Sequence, residues 1–209
     1  MKRKTDSYVY YMFHKPAGCI TAVRDERHPT VMEYFRSVDM PGLHPVGRLD
    51  KDTEGLLFVT NDGIWNQKLM NPESHVEKTY FFWALGELSE EDHQRLEQGI
   101  ELRGGRAGAS CLVLGKTAVL GDIQDLARGI KPGNRKDQPV FSGYLTIYEG
   151  RKHQVKRMLK AAGCYVVYLK RVSIGGIQLD ERLAPGEFRP LRQEEFQSLF
   201  KEITSRKDK

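Results

Sequence analysis

Apolar positions along this chain fall into short runs whose period changes repeatedly, with glycine, proline and asparagine marking the breaks. Tyr8 to Phe13 is aromatic and strand-like, and Lys15-Pro16-Ala17-Gly18 ends it as a turn. Thr30 is placed to cap a short helix through Phe35, after which Pro41-Gly42 and His44-Pro45 mark an irregular connection into Gly47. Gly55 to Thr60 (GLLFVT) is a continuous apolar run of strand length, the pattern of a strand covered on both faces, and Asp62 then caps a helix over Ile64 to Met70. Lys78 to Leu85 reads as a further strand, Ser89 with Glu90, Glu91 and Asp92 as a helix start, and Ser110 to Leu114 and Thr117 to Leu120 as meandering strands. Gly121 to Gln138 reads as an exposed excursion. Phe141 to Tyr148 returns to strand, Val155, Met158, Leu159 and Ala162 recur at helical spacing, Tyr165 to Leu169 is strand-like, and Gln193 to Ile203 closes with a helix. Units of this kind, with no strict βαβα alternation and no fixed-period repeat, predict an α+β architecture around a mixed, mostly antiparallel sheet.

Composition narrows the setting. A chain of 209 residues buries a substantial core. No apolar stretch approaches the ~20 residues that span a bilayer, so a soluble protein is expected. Cys19, Cys111 and Cys164 are odd in number and unpaired in spacing, which argues against a disulfide framework or a zinc ribbon and for the cytoplasm. The opening MKRKTDS reads as a short mobile basic arm (residues 1–7) rather than a secretory leader, and residues 204–209 as a flexible tail. The net charge of +5 is compatible with a polyanionic partner, and its distribution says more than its size. Acidic residues gather in Glu87 to Glu101, whereas Arg151 to Lys160 holds five basic residues and no acid.

Three segments carry candidate chemistry, and each has a plainer reading. Asp50 and Asp52, two apart in an acid-rich loop, suit a turn or a cap as well as catalysis. In Glu149 to Met158 (EGRKHQVKRM) a glycine precedes a helix with one apolar stripe. Lys156 falls near the stripe's border, where its stem can pack while its head meets a carboxylate, and Arg151, Lys152, Arg157 and Lys160 are freer to meet phosphates. The plain alternative is a solvated basic face. Tyr80, among Phe81, Phe82 and Trp83, belongs by default to sheet packing. The six histidines show no metal-ligand spacing, and there is no Walker loop or GxGxxG, so no metal or cofactor is indicated.

Taken in order, six segments resemble the bacterial ribosomal RNA pseudouridine synthases typified by the small-subunit uridine enzyme: FHKPAG (Phe13 to Gly18), HPVGRLDKDTEGLLFVTNDG (His44 to Gly63), EKTY (Glu77 to Tyr80), EGRKHQVKRM (Glu149 to Met158), LKRVSIGGIQL (Leu169 to Leu179) and PGEFRPL (Pro185 to Leu191). The resemblance spans nearly the whole chain. It implies a pseudouridine synthase fold with a catalytic cleft, one catalytic domain over residues 8–203, and isomerisation of uridine to pseudouridine in ribosomal RNA, with the small subunit favoured. Asp50 is then the catalytic carboxylate, and Asp52 keeps its structural reading. Attack at ribose C1′, attack at C6 of the base, and a glycal route all stay open.

By the same resemblance Lys156 pairs with Asp50, holding it ionised and aimed, and Tyr80 stacks on the target base and assists a proton transfer. Arg48 fills the gap left by a flipped-out uridine. Phosphate contacts fall to Arg151, Lys152, Arg157, Lys160, Lys170 and Arg171. The partner is ribosomal RNA or a pre-ribosomal particle, no membrane or cofactor is involved, and the protein is a cytoplasmic monomer. Members often carry an S4-type RNA-binding domain ahead of the catalytic part, and here only a few residues precede Tyr8. Rival readings are a non-catalytic RNA-binding or ribosome assembly factor of the same fold and, less well supported, a glycoside hydrolase using Asp50 with Asp52.

Overall fold

The computed structural model describes residues 8–108, 110–127 and 135–205. The expected basic arm and residues 206–209 of the expected tail lie outside that range. In chain order the elements are β1 (Tyr10–Lys15), β2 (His44–Val46), β3 (Glu54–Thr60), α1 (Gly63–Met70), β4 (Lys78–Leu85), α2 (Glu90–Gln98), β5 (Glu101–Leu102), β6 (Gly105–Arg106), β7 (Ser110–Val119), β8 (Pro139–Ile147), α3 (Gln154–Ala161), β9 (Tyr165–Ile174), β10 (Ile177–Gln178), β11 (Phe188–Pro190) and α4 (Gln193–Ser205). The architecture is α+β with mostly antiparallel pairing, and the chain divides into two compact units. One comprises residues up to Val76 and from Ser173 onward, the other Glu77–Val172.

In the first unit β1 is flanked by β3 and β11, both antiparallel, so that Phe13 faces Leu57 on one side and Phe188 on the other. Alternation along β1 sends Met12 to one face of the sheet and Tyr11 and Phe13 to the opposite one. Met12 joins Leu56, Phe58, Trp65, Leu69, Val76, Ile174 and Leu199 in one core. On the opposite face Phe35 stacks on Phe188, ring centres 4.2 Å apart, and packs edge-on against Tyr11 and Phe13. Both faces of β3 are therefore covered, which is why its apolar run is unbroken.

The predicted caps form. Glu33 accepts from the Thr30 N–H, and the Asp62 carboxylate accepts from the N–H groups of Ile64 and Trp65 at 3.0 Å each. Thr30 starts a 3₁₀ turn over Val31–Phe35 rather than an α-helix. Near the C-terminus Arg189 makes two bonds to Glu195, at 2.8 and 2.7 Å, and one to Asp180 at 2.8 Å, tying β11 to α4.

In the second unit β9, β4, β8 and β7 are neighbours in that order. The two expected strands before residue 121 are one strand, β7, interrupted by a bulge between Leu114 and Thr117, where the N–H of Lys116 donates to the Ser142 hydroxyl at 2.8 Å. The expected excursion is only partly exposed. Leu120, Ile123 and Ala127 pack with Trp83, Val140 and Tyr168 in a core cluster, while residues 128–134 lie outside the described range. β9 runs to Ile174, five residues past the expected strand end, and pairs with β10 across Gly175-Gly176. Strands as short as β2, β5, β6, β10 and β11 leave too few residues for a periodic signal.

Candidate active site

Asp50 sits in the first unit, on an irregular loop between β2 and β3, partly exposed, with Arg48 and Asp52 exposed beside it. Gly47 opens the loop at φ 67°, a left-handed conformation that favours glycine, and a Cβ there would have to displace the flexible end of the Met70 side chain. The loop is then held by two side chains. The Thr21 hydroxyl donates to the Leu49 carbonyl at 2.8 Å and accepts from the Leu49 N–H at 3.1 Å. Lys15, with no solvent exposure, places its ammonium 3.0 Å from the carbonyl of Asp50, 2.9 Å from that of Thr53 and 3.0 Å from that of Pro16, with Lys51 O at 3.5 Å.

An ammonium has three N–H donors, and three of these carbonyls lie within 3.0 Å. The Thr53 N–H closes the turn on Asp50 O at 3.1 Å, and the Gly18 N–H donates to Lys51 O at 2.7 Å. Burial pulls the Lys15 pKa below the ordinary lysine value, opposed by Cys19, Asp52, Asp50 and Glu54. The backbone that carries the Asp50 carboxylate is therefore fixed on both sides before any substrate arrives.

Tyr80 and Lys156 lie in the second unit. Tyr80, on β4, is buried at 8 % exposure, with the Arg171 guanidinium 6.0 Å from its ring centre and Arg171 Nη1 donating to its hydroxyl at 3.5 Å. Arg171 is 2 % exposed, and so stands apart from the cations with which the sequence grouped it. Lys170, its neighbour on β9, is half-buried. Helix α3 buries Val155, Met158 and Leu159; Lys156 is half-buried at the edge of that stripe, and Lys152 and Lys160 are exposed.

Arg151 and Arg157 are already engaged. Arg151 bonds Glu149 at 2.9 Å and the Gly105 carbonyl at 3.1 Å, and Arg157 donates to the Arg103 carbonyl. Reasoning from sequence thus missed Lys15 and Thr21 as the supports of the Asp50 loop and the hairpin contacts of α3. The one signal for Lys15 was its place in FHKPAG. Among the described residues no group of three or more His, Cys, Asp or Glu side chains is arranged to hold a metal ion, and no helix is long and apolar enough to cross a membrane.

Proteins similar to this chain occur both among curated sequences and among solved structures. Curated relatives include an uncharacterized RNA pseudouridine synthase of Bacillus subtilis, 41 % identical over 92 % of this chain and 73 % of its own length. Another is the ribosomal small subunit pseudouridine synthase A of Escherichia coli, 39 % identical over 91 % of this chain and 73 % of its own length. A crystal structure of a pseudouridylate synthase, 36 % identical, superposes with a TM-score of 0.73 over 92 % of this chain and 74 % of that one. The human RNA pseudouridylate synthase domain containing 1 protein shares the fold, at 17 % identity and a TM-score of 0.54 over 93 % of this chain and 94 % of that one. Residues 9–161, from β1 through the last residue of α3 and including Lys15, Asp50, Tyr80 and Lys156, match the RNA pseudouridylate synthase family, and the chain belongs to it.

Proposed function

We propose that this protein converts uridine to pseudouridine in ribosomal RNA, of the small subunit in particular, with Asp50 as the catalytic carboxylate. The observation that carries this reading is the clamped loop: within the family-matched region, the backbone around Asp50 is held by Lys15 and Thr21 while Asp50 itself stays partly exposed. Preorganisation of that kind serves a side chain that must meet a reacting atom. The small-subunit preference rests on the Escherichia coli relative's name.

The reaction breaks the bond from ribose C1′ to uracil N1, turns the base, and joins C1′ to C5; the proton displaced from C5 is balanced by one gained at N1. No electrons are exchanged with a second reactant, so the chain's own residues suffice. In this reading Lys156 is the basic partner of Asp50, its half-buried position suiting a cation that meets a carboxylate. Tyr80 faces the target base, with Arg171 behind it, and Arg48 fills the space vacated by the flipped nucleotide. Lys152, Lys160 and Lys170 meet phosphates in this reading. Residues 8–203 act as one catalytic domain, a cytoplasmic monomer working on ribosomal RNA or an assembling particle.

Asp50→Asn tests the proposal. The variant is expected to bind ribosomal RNA as the wild type does and to form no pseudouridine, measured by mapping pseudouridine in ribosomal RNA from cells with and without the gene and from cells carrying the variant. A wild-type protein that binds the RNA and leaves no new pseudouridine would make it a binding or assembly factor instead.

A further inference from the structure

The hairpin β5–β6 is too short to stand alone. Leu102 pairs with Gly105, so Arg103 and Gly104 form the turn, with Gly104 at φ 100° and nothing within 4 Å of the place its Cβ would take. The base of the hairpin is closed by the Ala107 N–H donating to Ile100 O at 2.8 Å, both residues being buried. The rest is supported from outside: Arg151 bonds Gly105 O, Arg157 bonds Arg103 O, and Arg106 bonds Gln98 O at 3.3 Å at the end of α2.

These bonds go to neutral carbonyls and leave the charges of Arg106 and Arg157 uncompensated by them, whereas Arg151 is also paired with the Glu149 carboxylate. The nearby acid is spoken for, because the Glu149 carboxylate accepts from the Gly108 N–H at 2.8 Å, from Gln154 at 2.7 Å and from Arg151 at 2.9 Å. Within residues 101–108 and 149–160, Arg103, Arg106, Arg151, Lys152, Arg157 and Lys160 outnumber the acids Glu101 and Glu149, with Glu97 of α2 beside the Gln98 carbonyl that Arg106 bonds and Arg103 exposed at the tip.

We propose that this hairpin, braced on α3, is a finger that grips the phosphodiester backbone of the substrate RNA. Arg103 and Arg106 make the contacts, and Arg151 and Arg157 act as positioning residues that hold the finger in place. The inference rests on the RNA-modifying reading above and assigns RNA contact to residues for which the sequence offered no signal. It also explains why the cationic run of α3 begins at Arg151, before the first helical residue: from there a guanidinium reaches the hairpin turn.

The test uses the full chain and an unmodified small-subunit ribosomal RNA transcript, with filter binding across a salt series. Two lost phosphate contacts in R103Q/R106Q should lower the slope of log affinity against log salt by about 1.5 and weaken binding roughly tenfold near 0.1 M salt. R151Q/R157Q should speed amide exchange at Ala107, and in that background R103Q/R106Q should cost less than about twofold, since an unbraced finger no longer delivers its charges. Unchanged affinity and slope in R103Q/R106Q overturn the finger, and fully additive losses in the combined variant overturn the bracing. A wild type whose binding is absent or independent of salt overturns the finger together with the RNA reading. A salt-dependent wild type with an unaffected hairpin variant removes the finger alone.

Discussion

The loop that carries Asp50 and the hairpin that carries Arg103 are both held by cationic side chains donating to backbone carbonyls, but the cations differ in burial. Lys15 has no solvent exposure and directs its ammonium at the carbonyls of Pro16, Asp50 and Thr53. Arg151 is exposed and Arg157 half-buried, and their carbonyl partners lie on an exposed turn. A buried ammonium loses its hydration and must be repaid by every donor it has, which leaves one geometry and a rigid loop. An exposed guanidinium loses little, holds its partner loosely, and keeps a field that reaches solvent. The first arrangement suits a carboxylate that must be aimed; the second suits a surface that must attract and adapt to a polyanion.

The largest effect that separates these two arrangements is expected from Lys15→Met. It strips the donor from buried carbonyls in the loop and should cost about 3 kcal/mol or more in stability. For a chain of this size that corresponds to a fall in Tm of about 10 °C. Activity measured well below the new Tm should fall as well, because the Asp50 backbone is no longer fixed. A stable Lys15→Met protein with full activity would erase the contrast drawn here, leaving the buried lysine as filler.

How far each region is legible in sequence follows the same division. Elements whose cause is local were readable: Asp62 capping α1, Ser89 capping α2, the doubly covered β3, and β4 to the residue. Asp50 stood out through ordered segments rather than through any local pattern, whereas Lys156 was also marked locally by its place at the border of the apolar stripe of α3. Lys15 was invisible because its partners are the carbonyls of residues 50 and 53, and a carbonyl is the same whatever residue bears it. The five-residue excess of β9 and the burial of Arg171 are set by strand neighbours distant in sequence. Ile123 and Ala127 sit in a segment whose glycines and charges read as loop, and their burial comes from Trp83, Leu120, Val140 and Tyr168.

Arg171 falls between the two cases, being buried like Lys15 but directed at a side chain, the Tyr80 ring and hydroxyl. Arg171→Met should reduce kcat by roughly tenfold to a hundredfold, about 1.4 to 2.7 kcal/mol in barrier, with KM for RNA little changed. The same substitution on a Tyr80→Phe background should add much less to the loss, since the hydroxyl it orients is gone. Equal losses in both backgrounds would give Arg171 a role apart from Tyr80, and a rise in KM alone would return it to the phosphate-binding set.

The smallest effect concerns Arg189, which donates to the Pro190 carbonyl but is held mainly by the carboxylates of Glu195 and Asp180. Its bonds to Glu195 hold that carboxyl below its ordinary value of 4.5, with burial opposing and the Arg192 N–H assisting. A depressed folded-state pKa means stability that is fully present above the unfolded value and lost as pH falls through the folded one. Glu195→Gln should therefore cost about 1 kcal/mol at pH 7, the scale of a solvent-accessible but well-aligned pair. The gap between wild type and variant in Tm should narrow as pH falls below about 4.5. The bracing by Arg151 and Arg157 has carbonyl partners that do not titrate, so the exchange rate at Ala107 should stay free of any Glu195-like pH step across the same range, once intrinsic exchange is subtracted. A parallel acid step at Ala107 would mean that Glu149, through its bond to Arg151, carries the hairpin's support in place of the carbonyl bonds.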